Sequence, residues 1–340
     1  MNDKRQQQEI ISDVMVGKQI SEADWSLLVA QARVSTTQNV QSVVQGTQTP
    51  IGYSFNFATL SRFGRMVHCD DQQKSEHALF VKYGHGSEEE LPRLVRNEAA
   101  LSQFITSQDA TVDALCMMLD QDADTRFILE IYSTDGTQWT TEYQRNLENL
   151  REQDINRRTK KITVPQMQGV LAGKHGKMAY RTLGAAERFA AYALEKKQAH
   201  RILPGRPTQS TVTYPHTCFT DLAQKSGATD AEVQSAIDIW TAIRLKDDAV
   251  RHRFVASQAV RSSSVTKRLV VLYGSTHSDK GVSPFHSVPP LEAYLSQTHQ
   301  TSVLEPYGSD AGVTPGVLSL KNMTVPLARI AFNIPATTQK

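Results

Sequence analysis

Histidines and carboxylates fall where apolar runs of this 340-residue chain stop. After Ala78–Tyr83 come Gly84-His85-Gly86-Ser87-Glu88-Glu89, and after Arg268–Tyr273 come Gly274-Ser275-Thr276-His277. His85 and Glu89 are four residues apart at a helix entrance, so both can face one side of its first turn. Such a pair can act as general acid and base or supply two ligands to a divalent metal. Glu130 lies inside the apolar run Arg126–Tyr132. A carboxylate there is costly unless it is used in catalysis or paired with a basic residue such as Arg244. The plainer reading of His85 and Glu89 is a capping histidine and a glutamate answering the helix dipole.

The elements that must position these residues alternate between strand and helix. Ala78–Tyr83, Arg126–Tyr132 and Arg268–Tyr273 are short, apolar and β-favouring, each followed by polar or glycine-containing sequence. Leu91, Leu94, Val95, Ala99, Leu101 and Phe104 form a helical stripe, and Asp109–Leu119 predicts a second helix. Longer helices are expected over 139–157 and 178–197, then 230–244, 247–260 and 290–297, with strands near Ser302 and over 327–332. Pro204, Gly205, Pro207 and Pro215 predict a loop over 200–217. Strands separated by long helices imply an α/β fold with a mostly parallel central sheet flanked by helices. Polar residues at the C-terminal ends of such strands converge on a ligand crevice.

The first fifty residues differ from the rest, with nine glutamines by position 48 and a Ser/Thr/Gln-rich stretch at 34–50. Too little apolar surface is available there to offset ordering entropy. A capping box at Ser21-Glu22-Ala23-Asp24 predicts one short helix. The expected organisation is a polar leader over 1–50, a candidate secretion or docking tail, and a single α/β domain over 51–340. Lys and Arg total 37 against 35 Asp and Glu, so no bulk charge excess supports nucleic-acid binding. No apolar run approaches the roughly 20 residues of a bilayer span, and the basic start lacks the apolar stretch of a Sec signal. Cys69, Cys116 and Cys218 stand far apart, which argues for free thiols over a disulfide framework. Cys218 beside His216 is more readily a packing residue than a nucleophile.

The order of the motifs resembles a family. His85-Gly86-Ser87-Glu88-Glu89, Ile128-Leu129-Glu130, Lys246-Asp247 and Gly274-Ser275-Thr276-His277 together look like the erythromycin esterase, ChaN and TraB/Tiki superfamily over about residues 78–300. Two departures stand out. Val81-Lys82-Tyr83-Gly84 occupies the place of the family's Gly-Glu, and Lys246 stands where the esterases prefer Arg. The resemblance implies an erythromycin esterase/ChaN-like fold and a site formed by His85, Glu89, Glu130 and His277, supported by Arg244 or Asp247. The same four would be the candidate ligands of a divalent metal. Members include hydrolases, metal-dependent proteases, and domains of bacterial toxins and type III effectors. A secreted effector leaving by a non-Sec route and acting in the host cytoplasm on a host protein or small-molecule substrate is therefore expected. In the implied hydrolysis one histidine, oriented by a carboxylate, activates water or a metal-bound hydroxide, and the second protonates the leaving group.

Two other classes compete. Lys82 and Glu98 have the spacing of a kinase Lys–Glu pair, and His277-Ser278-Asp279 is similar to a small-molecule kinase loop, but no glycine-rich phosphate loop precedes Lys82. An interaction protein on an inherited hydrolase-like scaffold is the third reading. The basic run Arg157, Arg158, Lys160 and Lys161 reads as a solvated helix end, and Gly169–Lys174 misses the P-loop pattern.

Overall fold

Side chains such as Leu, Val, Phe and Ile in uninterrupted series suit a strand covered on both faces, and three such series build the centre of this protein. They are β2 (His77–Tyr83), all seven residues of which are buried, β3 (Arg126–Tyr132) and β5 (Arg268–Gly274). The computed structural model describes residues 9, 55, 57–69, 74–84, 91–132, 141–207, 249–274, 277–278 and 290–307. With β1 (Gly64–Cys69), β4 (Ile202–Arg206) and β6 (Gln300–Pro306) these strands form one six-stranded sheet of order β1-β6-β2-β5-β3-β4. The strands from β6 to β4 run parallel, and β1 pairs antiparallel with β6. The expected α/β class with a mostly parallel sheet is therefore present.

Helices cover both faces. In chain order they are α1 (Phe57–Leu60), α2 (Leu91–Arg96), α3 (Glu98–Gln121), α4 (Thr141–Thr159), α5 (Val164–Ala172), α6 (Gly176–Arg181), α7 (Ala185–Glu195), α8 (249–262) and α9 (Leu291–Leu295). Alternation sends Leu79, Val81, Phe127, Leu129, Val270 and Leu272 to a first face, against α3 and α7. Ala78, Phe80, Ile128, Val271, Tyr273 and Val303 go to the second face, against α8 and α9. The chain thus leaves β2 over the first face and its neighbour β5 over the second, which makes their C-terminal ends a topological switch point. No helix among the described residues is long and apolar enough to cross a membrane.

Several expectations are corrected. The stripe from Leu91 breaks at Asn97, whose side chain accepts the Ala100 N–H at 3.0 Å and starts a new helix. That helix, α3, runs unbroken through Asp109 to Gln121. Buried Gln108 and Thr111 are accommodated there because Gln108 donates to the Gly84 carbonyl and accepts the Ala185 N–H, while the Thr111 hydroxyl donates to the Ser107 carbonyl. The 178–197 segment divides into α6 and α7, and α5 with its Thr163–Gln166 capping box occupies the region compared with a P-loop. Ile202–Arg206 is a strand where a loop was expected. It lies at the sheet edge, where the missing N–H of Pro204 is tolerated. Gly205 is required by packing, since a Cβ there would lie 2.5 Å from the Leu129 carbonyl oxygen. Residue 9 apart, the leader over 1–50 lies outside the described residues, as do the expected helix at 230–244 and strand at 327–332.

Candidate functional site

Toward the C-terminal ends of the strands the second face gains polar groups. Lys82 follows Phe80, Tyr273 follows Val271, Glu130 follows Ile128 and Glu305 follows Val303. Strand register lines them up. Lys82 aligns with Tyr273 and Arg65 with Glu305, while Glu305 and Glu130 stand one step beyond the aligned pairs Val81–Leu304 and Leu129–Leu272. Arg65, Glu305, Lys82, Tyr273 and Glu130 therefore form one row across the C-terminal edge of the parallel strands.

The Glu130 side chain is fully buried. Its Oε2 accepts the Gly274 N–H at 2.8 Å and its Oε1 accepts from Arg206, with Arg251 Nη1 at 3.6 Å. The ion-paired alternative for this carboxylate is thus realised, by Arg206 and Arg251; Arg244 lies outside the described residues. Both Glu130 oxygens are engaged, so the residue fits an orienting role better than a metal ligand's. By gripping Gly274 it fixes the chain three residues before His277.

His277 is buried, and its Nδ1 lies 2.8 Å from Nε2 of His252, the residue after Arg251 on α8. The Tyr273 ring meets His277 edge-on at 4.8 Å between centroids, and Tyr294 of α9 meets His252 at 5.5 Å. The Tyr273 hydroxyl donates to the Gly205 carbonyl at 3.2 Å, and the neighbouring Ser278 hydroxyl donates to Glu292 Oε1 at 2.6 Å. Two ring nitrogens at 2.8 Å require one to donate and the other to accept. The pair can pass a proton between rings, while protonating both would set two N–H groups head to head.

Of the residues singled out in the sequence, Glu130 and His277 come together at adjoining strand ends. His85, Glu89, Arg244 and Asp247 lie outside the described residues. Tyr83 aligns with Gly274, so the segments leading to residues 85 and 277 leave from neighbouring strands. The structure adds Arg206, Arg251, His252, Tyr273 and Glu292. One signal could have found Arg251 and His252: a helix preceding a parallel strand runs back along it, so its first turns lie over the strand's C-terminal end. Among the described residues no group of three or more His, Cys, Asp or Glu is placed to hold a metal ion.

The other candidates resolve differently. Lys82 pairs with Glu305 at 3.3 Å, and Glu98 is exposed at the start of α3, so the kinase-like pair does not form. Burial pushes the Cys116 thiol up to about 12, so it is protonated near neutrality. Cys218 and His216 lie outside the described residues. Arg157 and Arg158 are bound to Asp109, Asp113 and Asp154 and do not form a free basic patch, whereas Lys160 and Lys161 are exposed. A cavity of ≈ 460 Å³ lined by His77, Asp124, Ser263, Thr266 and Arg268 opens at the opposite, N-terminal edge of the sheet. Among its hydroxyls, Ser263 donates to the Ala259 carbonyl and Thr266 to the Arg268 carbonyl, while Ser75 donates to the Glu76 carboxylate.

Fold and site together define a doubly wound α/β protein with a buried His–His pair and a carboxylate–arginine cluster at the C-terminal edge of its sheet. No family model, curated protein or solved structure matches the chain.

Proposed function

We propose that the chain is a hydrolase, with the erythromycin esterase/ChaN-like chemistry its motifs suggest, working as a secreted effector or toxin in a host cell. The contact between His252 Nε2 and His277 Nδ1 at 2.8 Å, beside Glu130, carries the reading. His277 is the catalytic residue. It takes a proton from the attacking water and returns it to the leaving group, while the coupled His252 ring shares the charge as it forms. Glu130 is a positioning residue, acting through Gly274. The Ser/Thr/Gln-rich leader supports the secreted part of the reading.

The test is hydrolysis of a panel of aryl esters, phosphate esters and peptides by the full chain. Loss of a general acid–base is expected to cost about 10²–10⁴-fold in kcat for His277→Ala. His252→Gln is expected to shift the pH–rate profile and lower kcat while leaving KM near its original value. If both folded variants retain wild-type rates and pH profiles, the site reading fails. A non-catalytic interaction protein is the second reading, because a carboxylate satisfied by Arg206 and Gly274 is also what a purely structural network would make. It predicts host-cell activity unchanged by the same two substitutions.

A further inference from the structure

The polar row holds a buried ammonium whose donors are not all met. Lys82 is the last but one residue of β2, and its side chain is 4% exposed. Its one hydrogen-bond partner among the described residues is Glu305 Oε1, at 3.3 Å. An ammonium carries three N–H donors, and buried donors without acceptors are costly enough that each one points to something that completes it. Glu305 cannot serve Lys82 alone. Its Oε2 is held by Arg65 Nε at 2.8 Å and Nη2 at 2.7 Å, which fixes the carboxylate toward the exposed arginine.

Lys82 is also the cation on the strand adjoining β5, aligned with Tyr273, whose ring packs on His277. Neighbouring strands are about 4.8 Å apart, so Lys82 stands one strand from Tyr273 along this edge.

We propose that Lys82 anchors an anionic oxygen of the ligand, a carboxylate or phosphate, at this edge of the sheet. This rests on reading the sheet edge as the ligand site and adds the chemical class of what binds there. A compact ammonium with rotatable donors suits a single oxygen better than a bidentate guanidinium would.

Inorganic phosphate and acetate are titrated separately into the full chain by calorimetry at low ionic strength. One of them is expected to bind saturably, phosphate marking a phosphate-bearing ligand and acetate a carboxylate-bearing one. Lys82→Met is expected to weaken that binding at least tenfold. Glu305→Gln, which removes the competing carboxylate, is expected to tighten it several-fold, a gain that a merely structural lysine would not produce and that decides the matter if Lys82→Met does not fold. No saturable binding of either anion, or affinities unchanged in these variants, overturns the proposal. Binding is read without turnover: absence of hydrolysis would sink the hydrolase reading alone, and absence of anion binding this one alone.

Discussion

Gly205 and Glu130 show how much of the site depends on single atoms. Glu130 sits in a strand that is otherwise core, and it is stable there because one oxygen meets a backbone N–H and the other a guanidinium. Gly205 stands against the same strand. A Cβ at this position would come within 2.5 Å of the Leu129 carbonyl oxygen and 3.0 Å of the Tyr273 ring. Gly205→Ala must therefore push β4 away from β3 or displace Tyr273, and overpacking of this kind costs about 1–3 kcal/mol. Urea denaturation is expected to show a lowered midpoint of that size; an unchanged midpoint would mean the edge strand yields without cost. The importance of Glu130 was legible from its place in an apolar run. Gly205 was legible only as a chain breaker, because the atoms that forbid a side chain come from strands 76 and 68 residues away in sequence.

At the scale of elements, the first-face helices are tied by ions as well as by apolar packing. Arg188 of α7, its side chain fully buried, reaches Asp109 of α3 at 2.6 Å and Asp154 of α4 at 2.9 Å. Arg157 bridges the same two aspartates. Removing one member of a buried ion cluster leaves the others uncompensated, typically at about 3–5 kcal/mol. Arg188→Met is expected to destabilise the protein by roughly that much in urea, and adding Asp154→Asn to recover part of it. Simple additivity of the two would show that the cluster is not coupled. In the sequence Arg157 and Arg158 read as a solvated helix end, because Asp109 and Asp113, which bind them, lie 45 to 49 residues back on another helix. The Asn97 break was likewise hidden inside a continuous apolar stripe, since a cap is decided by one side chain bending back to the backbone.

Taken whole, the molecule has titratable groups buried at both edges of one sheet and in a helical layer, and its acid response follows from them. Burial, with the charges of Lys74 and His77, lowers His299 at the N-terminal edge to about 3, against 6.5 for an ordinary histidine. As pH falls from about 6.5 toward 3 the unfolded chain takes up this proton first, so stability declines across that window. For Asp109, Asp154 and Glu305 burial alone would raise the carboxyls, but their arginine and lysine partners outweigh it and hold all three below the usual range. Their contribution is present above the ordinary carboxylate values near 4 and is lost as pH falls through the depressed ones. Melting temperature is thus expected to fall in two stages, with His299→Gln flattening the stage above pH 4 and leaving the lower one. A single stage in the wild type, or a His299→Gln profile identical to it, would contradict this assignment.

The residues by themselves determined what depends on neighbours along the chain: three central strands, most helices, the α/β class, and the placing of Glu130 and His277 toward strand ends. Periodicity and composition are local quantities, and parallel strands with covered faces write them plainly. Tertiary structure alone decided which cations meet Glu130, that His252 is the partner of His277, and that Lys82 faces Glu305 and not Glu98. Each of these pairings joins different elements, and strand register and the direction of a crossing helix select them. A one-residue change of register would turn the strand residues among them, Lys82, Glu130 and Glu305, to the other face of the sheet.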